Sequence, residues 1–206
     1  MMRMIAYRLW QMLLGWGLVG VVYTLTDRLQ STGTVLPPSA IDRGIPFSPT
    51  AIWLYLSFFI IVPLGYLLAP IERVKWLRAA MQLAAVGAGA IYLLWPTTLV
   101  YPQDKGDGLS SQLLAALTQV DSLQNCLPSL HMALTVLAVW ALSDKQRKVR
   151  TALLLVWALA IAFSILQLRR HLLVDLVSGA LLAFIAGWVV QRINSVRRDA
   201  VKGEIG

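Results

Sequence analysis

Residues 151–191 read TALLLVWALAIAFSILQLRRHLLVDLVSGALLAFIAGWVVQ. Two apolar runs, 151–168 and 172–191, are parted only by Arg169, Arg170 and His171, and the second run carries a single charge, Asp175. A hydrocarbon core about 30 Å thick takes roughly 20 helical residues to cross. The stretch therefore reads as two membrane helices joined by a short polar turn. Four more charge-free runs precede it, at about 9–26, 51–69, 79–95 and 128–143. The last of these is short, about 24 Å at 1.5 Å per residue, which puts Pro128 near headgroup depth. The expected fold is all-α: a polytopic membrane protein built as a six-transmembrane-helix bundle, one domain over 1–206, ending in a basic tail at 192–206.

Composition agrees. Apolar residues are 58% of the chain and charged residues 14%, with a mean hydropathy of +0.67. Soluble domains run about half apolar and a quarter charged. No repeat at solenoid spacing and no low-complexity segment is visible.

The basic residues orient the bundle. Thirteen of the 18 lysines and arginines fall at the N-terminus, in the second and fourth loops and in the tail. The other five, Arg28, Arg43, Lys105, Arg169 and Arg170, fall in the first, third and fifth loops. The positive-inside rule then places both termini in the cytoplasm. The net charge of +8 reads as topology, with anionic-lipid contact at the tail. These cations flank helices and form no aromatic-laced basic surface, so nucleic acid is not an expected partner. The first run ends in Tyr23-Thr24-Leu25-Thr26-Asp27 without a small-residue cleavage site, so it is expected to stay as a helix. Cys126 is the only cysteine; it admits no internal disulfide and reads as a small buried packing residue.

Long loops gather on the outer side, where sites tend to be built. The first, 27–50, is broken up by Gly33, Pro37, Pro38, Gly44, Pro46 and Pro49. The third, 96–127, holds apolar residues at 109, 113, 114, 117 and 120. That spacing makes one helical face, so a short interfacial helix is expected there. It serves either as a lid or packing element or as part of the lipid's route to the site.

The chain has two histidines, and each stands at the outer end of an apolar run. His171 and Asp175 are four apart and so share a helical face. A carboxylate there can accept a hydrogen bond from one imidazole nitrogen and make the other a better nucleophile. Asp175 stands a turn inside an apolar helix, where an unpaired charge is costly. His131 stands in Pro128-Ser129-Leu130-His131. Pro128 suits a first helical turn, whose free N–H groups, with the Ser129 hydroxyl, favour an anion. A protonated His131 there can supply a proton to a leaving alkoxide. Arg169 and Arg170 suit phosphate oxygens. The bland alternatives are a structural His–Asp pair, an interfacial histidine and snorkelling arginines.

Taken together, these elements resemble the type 2 phosphatidic acid phosphatase superfamily of lipid phosphatases. The closer likeness is to its Pro-Ser-Leu-His branch, which includes inositol phosphorylceramide synthases. Asp42-Arg43-Gly44-Ile45-Pro46-Phe47, Trp95-Pro96-Thr97-Thr98 and Asp121 through His131 are similar to that branch, as is Ser164 followed by His171 and Asp175. The resemblance implies metal-independent phosphoryl transfer without a cofactor, on a lipid phosphomonoester or pyrophosphate, through a phosphohistidine. In it His171 is the nucleophile, Asp175 orients it and His131 is the acid. It also implies that Ser129 and nearby cations hold the phosphate. The superfamily's usual arginine after the serine is Ile165 here, and near Tyr101-Pro102-Gln103 the only cation is Lys105. Arg169, Arg170 and Lys105 are the candidates left for those places. The location implied is a bacterial-type inner membrane with the site facing the periplasm or exterior. Two alternatives stay open: transfer of a phospho-headgroup to a lipid alcohol, and a non-catalytic membrane scaffold. The sequence does not determine the oligomeric state.

Overall fold

The computed structural model describes the backbone of residues 2–203 and the side chains of residues 2–196. The chain is all-α apart from one two-stranded ladder. Its order is α1 (Met2–Leu29), β1 (Thr34–Val35), α2 (Ala40–Gly44), a 3₁₀ turn at Pro49–Ala51, α3 (Ile52–Leu56), α4 (Phe58–Leu68) and α5 (Ile71–Leu94). Then follow β2 (Thr97–Thr98), α6 (Leu109–Val120), α7 (Leu130–Leu142), α8 (Lys148–Gln167) and α9 (Leu173–Gly203).

Among the described residues five segments are long and apolar enough to cross a membrane: Met2–Leu29, Pro49–Leu68, Ile71–Leu94, Lys148–Gln167 and Leu173–Val196. The expected sixth, 128–143, is the 13-residue α7, about 20 Å long. Pro128 lies outside it, one residue before the Ser129 N-cap. The long helices overrun the charge-free runs. α5 begins at Ile71, so Glu72, Arg73, Lys75 and Arg78 are all helical. Charge marks where hydrocarbon ends, whereas the hydrogen-bond ladder continues through the headgroup layer. Of the expected basic tail, Arg197, Arg198 and Lys202 lie outside the described side chains.

Large apolar side chains point outward along the helices. Leu153, Val156, Leu159 and Phe163 on α8 and Val177, Leu181 and Phe184 on α9 are exposed. Such continuous exposure of apolar surface marks a lipid-facing belt rather than a water-facing one. Inside, small residues let backbones approach closely. Ala80, Ala84 and Ala88 follow one line of α5 and are fully buried. Gly89 lies under Val22 and Thr26 of α1, the helix that packs along α5. α7 is enclosed by α4, α5, α8 and α9.

Sequence reading missed the ladder. β1 and β2 pair in parallel, Thr34 with Thr97 and Val35 with Thr98, and Thr97 also bridges to Asn125. The ladder ties the first and third loops together over the end of the bundle that holds the two histidines. The helix expected at 109–120 is α6; it touches the 3₁₀ turn and α3.

Candidate active site

The segment from Asp121 to Ser129 is held from three directions. The Asn125 side-chain amide donates to Tyr23 O on α1 at 2.9 Å. The Leu127 N–H donates to the Thr97 hydroxyl at 3.0 Å. The Tyr92 hydroxyl of α5 donates to Pro128 O at 2.5 Å, and the Leu127–Pro128 peptide is cis. The Ser129 N–H donates to Asp175 O at 2.9 Å, joining the start of α7 to the start of α9. Gly179 makes that approach possible: a Cβ there would collide with the Ser129 carbonyl oxygen. His131, in the first turn of α7, is thereby set beside His171. Their ring centroids are 5.8 Å apart at an interplanar angle of 60°.

Each histidine has a distinct environment. The Tyr55 hydroxyl lies 2.8 Å from His131 Nε2, and Tyr55 is fully buried. Phe58 packs on the same imidazole, with centroids 4.8 Å apart. His131 Nδ1 is buried with no hydrogen-bond partner. His171 is 5% exposed, and its Nδ1 is 3.5 Å from Asp175 Oδ2. That distance is within ion-pair reach, but the geometry makes no hydrogen bond: Nδ1 and Asp175 Oδ1 both lack partners. Directionality governs hydrogen bonds, so the short separation alone does not make one. Asp175 Oδ2 accepts the Leu172 N–H at 2.8 Å. The carboxylate therefore caps the start of α9 and stands beside the imidazole at the same time.

The two arginines are engaged. Arg169 has φ 54°, the left-handed position of a helix-ending turn that glycine usually takes. Arg169 N donates to Leu166 O and Arg170 N to Ile165 O, closing α8. A non-glycine residue there costs about 1–2 kcal/mol. The side chain offsets this through its NH groups, which donate to Asp42 O and Ile45 O at 2.5 Å each. Asp42 is itself fixed: Oδ1 accepts the Leu173 N–H at 2.8 Å, and Oδ2 accepts the Ser39 N–H and hydroxyl. Burial opposes ionisation of Asp42, but these bonds hold its carboxyl below the usual range. Arg170, 3% exposed, donates from Nε and one NH to Asp121 Oδ2 at 3.1 and 2.9 Å. The Tyr23 hydroxyl donates to Asp121 Oδ1 at 2.5 Å. Burial again opposes the Asp121 charge, yet His131, Arg170 and the Tyr23 bond keep its carboxyl below the usual range. His171 adds to the same lowering of the Asp121 carboxyl.

The other expected residues are placed differently. The Ser129 side chain is fully buried and accepts the Met132 N–H at 3.3 Å, capping α7. Lys105 is exposed in the loop between β2 and α6 and makes no hydrogen bond or ion pair to another described residue. Burial pushes the Cys126 thiol up to about 12, the character of an inert packing group. Tyr55 and Tyr23 had no sequence signal, since each sits in an apolar run. Asp121 and Asp42 stood in the quoted motifs without an assigned role.

A cavity of about 210 Å³ reaches His131 from the side. Trp16 and Tyr23 of α1, Phe58 and Phe59 of α4, and Leu117 of α6 are among its walls. A half-buried His131 set against the buried His171, beside an apolar-walled cavity and within a bundle of membrane-length helices, is the arrangement of an integral membrane protein with a histidine site at one end of the bundle. The family model described as the PAP2 superfamily matches residues 46–189. The chain belongs to that superfamily, and the match supports an integral membrane protein with phosphatase-type or phosphotransferase activity on lipid phosphates. No curated protein and no solved structure matches it.

Proposed function

We propose that the protein is a lipid phosphate phosphatase whose nucleophile is His171. The observation that carries this reading is the 5.8 Å spacing of the only two imidazoles in the chain, next to an aromatic-walled cavity that His131 lines. In this reading the substrate's phosphate lies between the rings and its alkyl portion in the aromatic cavity. His171 Nε2 attacks phosphorus; the N–P bond forms as the P–O bond to the lipid breaks. His131 gives its proton to the departing oxygen. Water then attacks phosphorus, returns a proton to His131, and the N–P bond breaks to release phosphate. Asp175, beside Nδ1, tightens onto the imidazole as positive charge develops there, in keeping with catalytic bonds that are long before substrate binds. Arg170 contributes positive potential toward the phosphoryl oxygens. Arg169, bonded to the Asp42–Ile45 loop, shapes the rim. Ser129 presents the start of α7, where helix N–H groups favour the anion. Lys105, exposed in the third loop, adds a further cation for the phosphate. No metal or cofactor is needed for these steps.

The likeness to the Pro-Ser-Leu-His branch and the outer-face location in a bacterial inner membrane form part of the same proposal, as does the interfacial position of α6. So does a bundle of six spans with both termini in the cytoplasm. The cavity beside His131 supports a second reading: once the leaving alcohol departs, a lipid alcohol can enter and accept the phosphoryl group in place of water.

The test is a panel of lipid monophosphates and pyrophosphates assayed with excess chelator. Phosphate release, inhibition by vanadate and complete loss in His171→Ala support hydrolysis. Phosphorylated lipid product without free phosphate supports transfer. Activity unchanged in His171→Ala would sink both, and no turnover of any member of the panel by the wild type would leave the scaffold role.

A further inference from the structure

At the end of the bundle away from the histidines, the short α7 leaves a recess. α7 spans about 20 Å, whereas the 24-residue α5 spans about 36 Å. The start of α7 is pinned to the start of α9 at the site end, so the 31-residue α9 outruns α7 at the other end. There residues of α5, α8 and α9 line a cleft of about 1750 Å³. Its rim is charged over an apolar floor. Lys75, Lys145, Lys148, Arg73 and Arg192 line it, against the carboxylates of Glu72 and Asp144.

Two local cations are already engaged. Arg73 donates to Ala141 O at 3.2 Å and Ser143 O at 2.5 Å, and Arg150 to Leu142 O at 2.7 Å. They cap the free carbonyls that end α7. Asp144 is also engaged, near Arg147 at 3.9 Å and accepting the Gln146 N–H at 2.9 Å. The amines of Lys75, Lys145 and Lys148 make no hydrogen bond or ion pair with a described residue, and all three are exposed. Beneath them lies an aromatic floor. Trp76 packs edge-on to Trp140 at 5.1 Å and donates its indole N–H to Gly187 O, and Trp188 lies under Arg192 at 5.4 Å. Tryptophan beneath lysine is the pattern of a membrane–water boundary. The start of α8 forms another side of the cleft through Lys148, Thr151 and Ala152.

We propose that this cleft binds one anionic phospholipid from the leaflet opposite the histidines. Its phosphate lies among Lys75, Lys145, Lys148 and Arg192, and its glycerol and upper acyl carbons lie on the tryptophans. Net positive walls supply the charge match. The recess supplies the depth, because a headgroup can descend where α7 stops short. The site is separate from the histidine chemistry and does not depend on it.

The test uses full-length protein in phosphatidylcholine nanodiscs doped with phosphatidylglycerol, released and read by native mass spectrometry. The wild type should keep one phosphatidylglycerol per chain. Lys75→Gln with Lys148→Gln and Arg192→Gln should lower that retention at least tenfold. Arg3→Gln with Arg28→Gln, both exposed and outside the cleft, should leave it unchanged. Circular dichroism and the histidine-dependent activity check that the exposed substitutions leave the fold intact. Equal retention by wild type and cleft variant overturns the proposal, as does equal loss in the control variant, which would mean diffuse attraction. Displacement of the lipid by millimolar inorganic phosphate would assign the cleft to free anion instead, and a dimer mass with no lipid would assign it to a second copy of the chain.

Discussion

Replacing Asp121 with asparagine should destabilise the protein far more than an isosteric surface change. The Arg170 and Asp121 side chains are 2% and 9% exposed and 2.9 Å apart. Asparagine keeps the shape and the oxygen that accepts from Tyr23 at 2.5 Å, so the substitution removes chiefly charge. It leaves a buried guanidinium without a counter-ion, at a cost of about 3–5 kcal/mol. For a chain of this length, about 2–4 °C of melting temperature follows each kcal/mol, so the midpoint should fall on the order of 10 °C. The assay is thermal unfolding in detergent, followed by tryptophan fluorescence. Asp121→Leu combined with Arg170→Met removes both charges and should recover most of the loss, because an apolar pair carries no desolvation penalty. A midpoint for Asp121→Asn within 2 °C of wild type, or a double variant no better than the single, would refute the claim that this pair is buried and coupled.

The same pair sets a pH dependence. The folded Asp121 carboxyl lies below its ordinary value, so its contribution is complete above the unfolded value of about 3.9. It is lost as pH falls through the lower folded value. The gap in melting midpoint between wild type and Asp121→Asn should therefore be constant from pH 5 to 8 and close below pH 4; a gap already closing at pH 6 would contradict it. Tyr55→Phe deletes the hydroxyl 2.8 Å from His131. It should cost about 1 kcal/mol of stability and slow alkyl phosphates roughly tenfold more than aryl ones, as steady-state rates on both substrates would show. Gly179→Ala pushes a methyl group into the Ser129 carbonyl. The backbone cannot yield cheaply, so the α7–α9 junction should separate, with a cost of about 1–3 kcal/mol from overpacking and loss of turnover; a variant with wild-type activity would show that the junction has slack.

Much of the architecture was legible because bilayer thickness acts on composition directly. Runs free of charge report hydrocarbon contact one helix at a time, without reference to any partner. Such runs do not report length beyond the hydrocarbon, and α5 and α9 both extend past them. Nor do they separate a lipid-spanning helix from one wrapped in protein. α7 reads as apolar as its neighbours, yet most of its length is enclosed and it stops at 13 residues.

For the site, the sequence by itself determined which residue types were present to do chemistry: two imidazoles, and an aspartate one turn below the second. That they meet, with centroids 5.8 Å apart, is a tertiary fact. It arises from Gly179 admitting the Ser129 carbonyl and from the Ser129–Asp175 backbone bond. The partners of the arginines were hidden for the same reason. Arg169 and Arg170 are adjacent in the chain, but a left-handed turn sends one to the Asp42–Ile45 loop and the other to Asp121. Tyr55 was invisible inside an apolar run, where a hydroxyl becomes meaningful only once folding sets an imidazole against it. Local pattern carries the energy of single helices in lipid, whereas side-chain pairing across forty to a hundred residues is decided only when those helices pack.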